Sequence, residues 1–71
     1  MTEDGRRFSG EVRFRNERGA YGFIERDGPG ADVFVHVRNV IRGDLIEGAS
    51  VEFDIESSER GPRAEDVIVV D

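Results

Sequence analysis

The chain has 71 residues, room for one small domain and no more. It contains no cysteine, which removes disulfides, thiolate catalysis and cysteine-ligated zinc, and its single histidine, His36, leaves no clustered set of metal ligands. All ten basic residues are arginine, so no lysine serves a phosphate loop, a Schiff base or general-base chemistry, and sixteen acids set a net charge of −6.

Residues 1–7 are polar and without period, and are expected to form a loose arm before a domain over 8–71. A first strand is expected from Phe8 to Asn16. Strict alternation would put Val12 and Phe14 on one face and Arg13 and Arg15 on the other. Two such unlike pairs call for a bulge or strong coil within the strand. Asn16 to Ala20 reads as a turn, Tyr21–Arg26 as a second strand, and Asp27-Gly28-Pro29-Gly30 as a further turn. A third strand covers Asp32–His36, after which Val37–Ile41 loses alternation and reads as a helical turn.

Arg42–Gly48 is a loop with two glycines. Ser50–Ser57 alternates strictly, with Val51, Phe53 and Ile55 inward and Glu52, Asp54 and Glu56 outward as a solubilising face turned away from any ligand. Glu59-Arg60-Gly61-Pro62 is a turn and Arg63–Val70 the last strand. Its Val67–Val70 stretch is the longest apolar run, too short for a membrane span or signal peptide, and a soluble, cytoplasmic protein is expected. Five short strands with Gly/Pro turns favour a closed, all-β barrel with few free edges.

The second and third strands carry the functional signal. Period-two alternation gathers Tyr21, Phe23, Phe34 and His36 on one face and Gly22, Ile24, Val33 and Val35 on the other. The aliphatic face is a core face. The aromatic face is the arrangement needed to stack unpaired bases. Taken one at a time, these rings would read as core cover or an oligomer contact; their shared face opposite an aliphatic one favours base stacking. A catalytic pairing of His36 with Asp32 is excluded, since four residues of extended chain separate their Cα atoms by about 13 Å.

Charge is distributed in keeping with this. Residues 1–42 hold eight arginines against seven acids, whereas residues 43–71 hold two against nine. Arg13, Arg15, Arg38, Arg60 and Arg63 are candidate phosphate contacts, of which Arg13 and Arg60 are favoured. The acidic balance predicts binding in which stacking outweighs charge.

The order of motifs resembles the cold-shock domain, an OB-fold module. It runs Gly10-x-Val12-Arg13-Phe14-x-Asn16, Tyr21-Gly22-Phe23-Ile24, Asp32-Val33-Phe34-Val35-His36, Glu47-Gly48-x-x-Val51-x-Phe53 and Arg60-Gly61-Pro62-x-Ala64, spanning residues 9–70. The resemblance implies a five-stranded antiparallel OB-fold β-barrel with stacking residues at Phe14, Tyr21, Phe23, Phe34 and His36. It further implies a basic contact at Arg13, a base-edge contact at Asp32 and a basic loop contact at Arg60. The chain departs from the family pattern where Arg15 replaces an aromatic residue, Val37 replaces another, and Gly19-Ala20 replaces a Lys-Gly pair. The loop after the third strand is also shorter and supplies Ile41 and Leu45 but no ring. Arg15 can offset part of that loss by stacking its guanidinium or meeting phosphate.

The expectation is a monomeric, non-enzymatic binder of single-stranded RNA or DNA, with low sequence specificity and without cofactor, metal, membrane or small-molecule substrate. The alternative is an OB module that docks a protein, or a second copy of itself, through the same rings.

Overall fold

The computed structural model describes residues 7–70; of the arm expected over residues 1–7, only Arg7 lies within that span. Arg7 is tied to the barrel, its guanidinium donating to the carbonyls of Glu52 and Asp66 and lying 3.8 Å from the Asp54 carboxylate.

Six strands form in chain order: β1 (Phe8–Asn16), β2 (Tyr21–Arg26), β3 (Val33–His36), β4 (Val40–Arg42), β5 (Ser50–Ser58) and β6 (Gly61–Val69). A 3-10 turn, Val37–Asn39, separates β3 from β4. The sheet runs β3-β2-β1-β5-β6-β4 and closes where β3 meets β6. Because β6 pairs with β3 at Phe34–Arg63 and with β4 at Val40–Val67, β3, the 3-10 turn and β4 follow one edge of β6 as an interrupted strand. The barrel therefore has the five staves expected, antiparallel except along this parallel seam. The helical turn read over Val37–Ile41 is shorter than expected, because Val40 re-enters the sheet. The last hairpin is tighter too, since β6 starts at Gly61 rather than Arg63.

Val12, Ile24, Val33, Val35, Val51, Phe53, Ala64 and Val67 fill the interior, joined by Leu45 from the loop before β5. Ile55, read as an inward residue, is half-buried and packs against this core. The bulge called for in β1 lies at Arg13: Val12 pairs with Ile24, but Phe14 pairs with Phe23. That extra residue puts Val12 inside, 1% exposed, and Phe14 outside, 41% exposed. Gly22 is required at the crossing of β1 and β2, because a Cβ there would collide with the Phe14 carbonyl oxygen.

Candidate nucleic-acid interface

Register assembles the rings. β2 and β3 place Tyr21 opposite His36 and Phe23 opposite Phe34, each half-buried on the outer face. Tyr21 stacks on Phe34 with centroids 5.7 Å apart, and Phe23 meets Phe34 edge-on at 5.7 Å and Tyr21 edge-on at 6.2 Å. Phe14, turned outward by the bulge, extends the patch to Tyr21 at 6.3 Å. Contacts of this kind are worth about 0.5–1.5 kcal/mol each beyond burial, so the rings hold one another in place.

Two residues not singled out by sequence position Tyr21. Asn16 donates its amide N–H to the Tyr21 hydroxyl at 3.3 Å and accepts the Gly19 N–H at 2.8 Å, tying the β1–β2 turn. At Gly19 a Cβ would collide with the Tyr21 ring, so the missing side chain leaves that ring its place. His36 is fixed from its other side: its Nδ1 accepts the Arg38 backbone N–H at 3.1 Å and caps the 3-10 turn. The ring proton then sits on Nε2, available as a donor.

Charged groups border the rings. Glu25 follows Phe23 by two residues and Asp32 precedes Phe34 by two, so both fall on the outer face, where Arg13 lies 3.1 Å from Glu25 and 3.7 Å from Asp32. Arg60 sits exposed in the β5–β6 turn, which Ser58 ties by accepting the Arg60 N–H and donating to the Gly61 carbonyl. Phe23, Phe34, Ser58, Arg60, Pro62 and Arg63 line a groove of about 640 Å³ beside the rings.

Arg15 is set apart from this face. It donates to the carbonyls of Leu45 at 3.2 Å and Asn16 at 2.6 Å, and lines a separate hollow with Val37, Val40 and Ile46. One residue past Phe14, alternation turns it away from the rings.

Arg63 stands directly across the seam from Phe34. Its guanidinium contacts Glu56 at 3.0 Å and Glu65 at 2.9 Å. Hydrogen bonding with Glu65, then with Arg63, holds the Glu56 carboxyl below the ordinary carboxylate range, and Arg63 is raised in turn by its bonds to Glu56 and Glu65. Glu56 thus departs from the remote solubilising face read from the alternation. The register shift in β5 between Glu52 and Asp54 and the pairing of Glu56 with Arg63 bring it to the edge of the groove.

Known proteins place this geometry. The description "'Cold-shock' DNA-binding domain" matches residues 8–70. The chain belongs to the cold-shock domain family. Cold shock protein ScoF of Streptomyces coelicolor is 44% identical over 62 residues, covering 83% of this chain and 92% of that protein. Cold shock-like protein CspLB of Listeria monocytogenes is 48% identical, with coverage of 83% and 92%, and the cold shock-like protein of Aquifex aeolicus is 41% identical, with coverage of 89% and 94%. The fold is that of the drosophila Unr CSD456 structure, with a TM-score of 0.78 at 20% identity over 93% of this chain and 27% of that one. Cold-shock domains bind single-stranded nucleic acid, and the ring cluster on the outer face of this one is in keeping with that activity. Among the described residues no helix is long and apolar enough to cross a membrane, and no three of His, Asp and Glu group as metal ligands.

Proposed function

We propose that this cold-shock domain binds single-stranded RNA or DNA by stacking unpaired bases on Phe14, Tyr21, Phe23, Phe34 and His36. Arg13 and Arg60 meet the backbone, and Asp32 accepts from a base edge. The observation that carries the reading is the continuity of the rings: four of them touch in sequence across β1, β2 and β3 and open onto the groove beneath Arg60. Stacking contributes about 1–3 kcal/mol per base and tolerates any base, which accounts for low sequence specificity. Arg15 is left out of the proposed contacts, because two carbonyls hold its guanidinium in a hollow apart from the rings.

A protein that holds the unpaired state melts weak secondary structure by mass action, so the proposed role is that of a nucleic-acid chaperone acting without ATP, as a cytoplasmic monomer. Titration with single- and double-stranded oligomers at two salt concentrations tests this. Preference for the single strand is expected; equal affinity for both, or for neither, contradicts it. Light scattering over a concentration series separates this reading from self-association through the rings, which would give a dimer.

A further inference from the structure

Of three arginines beside the rings, Arg60 is exposed in the β5–β6 turn, while Arg13 and Arg63 pair with carboxylates and are held differently. Arg13 meets Glu25 at 3.1 Å and Asp32 only at 3.7 Å, and its side chain is 57% exposed. Arg63 is gripped more fully. Its Nε donates to Glu65 Oε2 at 3.1 Å, and its Nη2 reaches Glu65 Oε2 at 2.9 Å and Glu56 Oε1 at 3.0 Å. Two of the five N–H donors of this guanidinium are thus bonded to carboxylates, and Nη2 also lies at ion-pair distance from Glu65. The Nε–Nη2 edge, which a phosphate would grip in bidentate fashion, is already filled. The cluster itself carries one positive and two negative charges, so Arg63 is over-neutralised where the sequence places a cation.

We infer that Glu56 and Glu65 are specificity-determining residues of the interface, intramolecular stand-ins for phosphate that withdraw Arg63 from the nucleic-acid backbone. The inference rests on the base-stacking reading. With Arg63 capped, a strand crossing Phe34 gains from its bases and not from a phosphate at that position. Binding is then less sensitive to salt than the arginine count suggests. The cross-strand pairing of Glu56 with Arg63 and the i, i+2 spacing of Arg63 and Glu65 on β6 build the cap into the barrel.

The test is binding of oligo-dT at 50 and 200 mM salt to the wild type, to Glu56→Gln/Glu65→Gln, and to that double variant with Arg63→Gln added, each checked for folding by circular dichroism. The double variant is expected to bind several-fold more tightly at low salt. Its log–log salt slope should steepen by about 0.7, one further phosphate on a single strand. Adding Arg63→Gln should remove that gain. A double variant with the wild-type affinity and slope overturns the cap, and so does a gain that survives Arg63→Gln, since it would then be general relief of charge. Absence of binding in wild type and variants alike overturns the base-stacking reading and the cap together. Should the double variant fail to fold, Glu65→Gln alone removes the negative charge from the Nε–Nη2 edge and carries the same test.

Discussion

Tyr21 lies over Phe34 with ring planes 25° apart, although register places each opposite a different partner, His36 and Phe23 respectively. The contact is diagonal, across the pleat, and with Phe23 edge-on to both rings it closes a triangle of three mutually touching rings.

Phe34→Ala and Phe23→Ala should each therefore weaken binding more than the loss of one stacked base, since each also frees two neighbouring rings. An oligonucleotide titration is expected to show a loss of at least about tenfold for each variant, at about 1–3 kcal/mol per base. Both variants should stay folded, because neither ring belongs to the fully buried core. Unchanged affinity in both would contradict the stacking proposal.

Salt should matter little. Two arginines, Arg13 and Arg60, are proposed to meet phosphate, which gives a log–log slope of about −1.5 on a single strand. A slope steeper than about −4 would show that charge, not stacking, dominates.

Much of this was legible from residue order, and the exceptions have physical reasons. Alternation in β2 and β3 suffices to separate rings from aliphatics, because one face is buried and a one-residue slip would invert every side chain. The shared face of Val12 and Phe14 in β1 pointed to a bulge or strong coil, and the register places a bulge at Arg13. Alternation could not show β4, whose three residues, Val40–Arg42, form a strand only because the seam of β6 lies beside them. Nor could it place Arg63 and Glu56, whose meeting depends on how tightly the Ser58–Gly61 hairpin closes. The bonds of Arg15 were hidden for a related reason: the carbonyls it serves belong in part to Leu45, thirty residues away.

Ala20 has a φ of 57°, in the left-handed region, at the position where the family pattern has glycine. An L side chain there costs about 1–2 kcal/mol, of which a glycine returns part after its greater unfolded-state entropy. Ala20→Gly should stabilise the domain by about 0.5–1 kcal/mol in urea unfolding. A loss of stability would show that the turn is not strained at that residue.

The acid limb of stability should report on Glu56. Its folded-state carboxyl titrates below the ordinary 4.5, so the unfolded chain takes up the proton first as pH falls. The stabilisation is complete above 4.5 and is lost as pH drops through the lowered value. In thermal melts from pH 7 to 3, the advantage of the wild type over Glu56→Gln should shrink below pH 4.5. A difference that stays constant to pH 3 would contradict the charge assignment.

Tyr21 is the only tyrosine and the chain has no tryptophan, so intrinsic fluorescence reports on one ring at the centre of the patch. Titrating the protein with oligo-dT should quench that emission saturably, while a duplex of the same length leaves it unchanged. Emission that is unaltered at a concentration of oligo-dT where binding is complete by an independent method would contradict base stacking on this face.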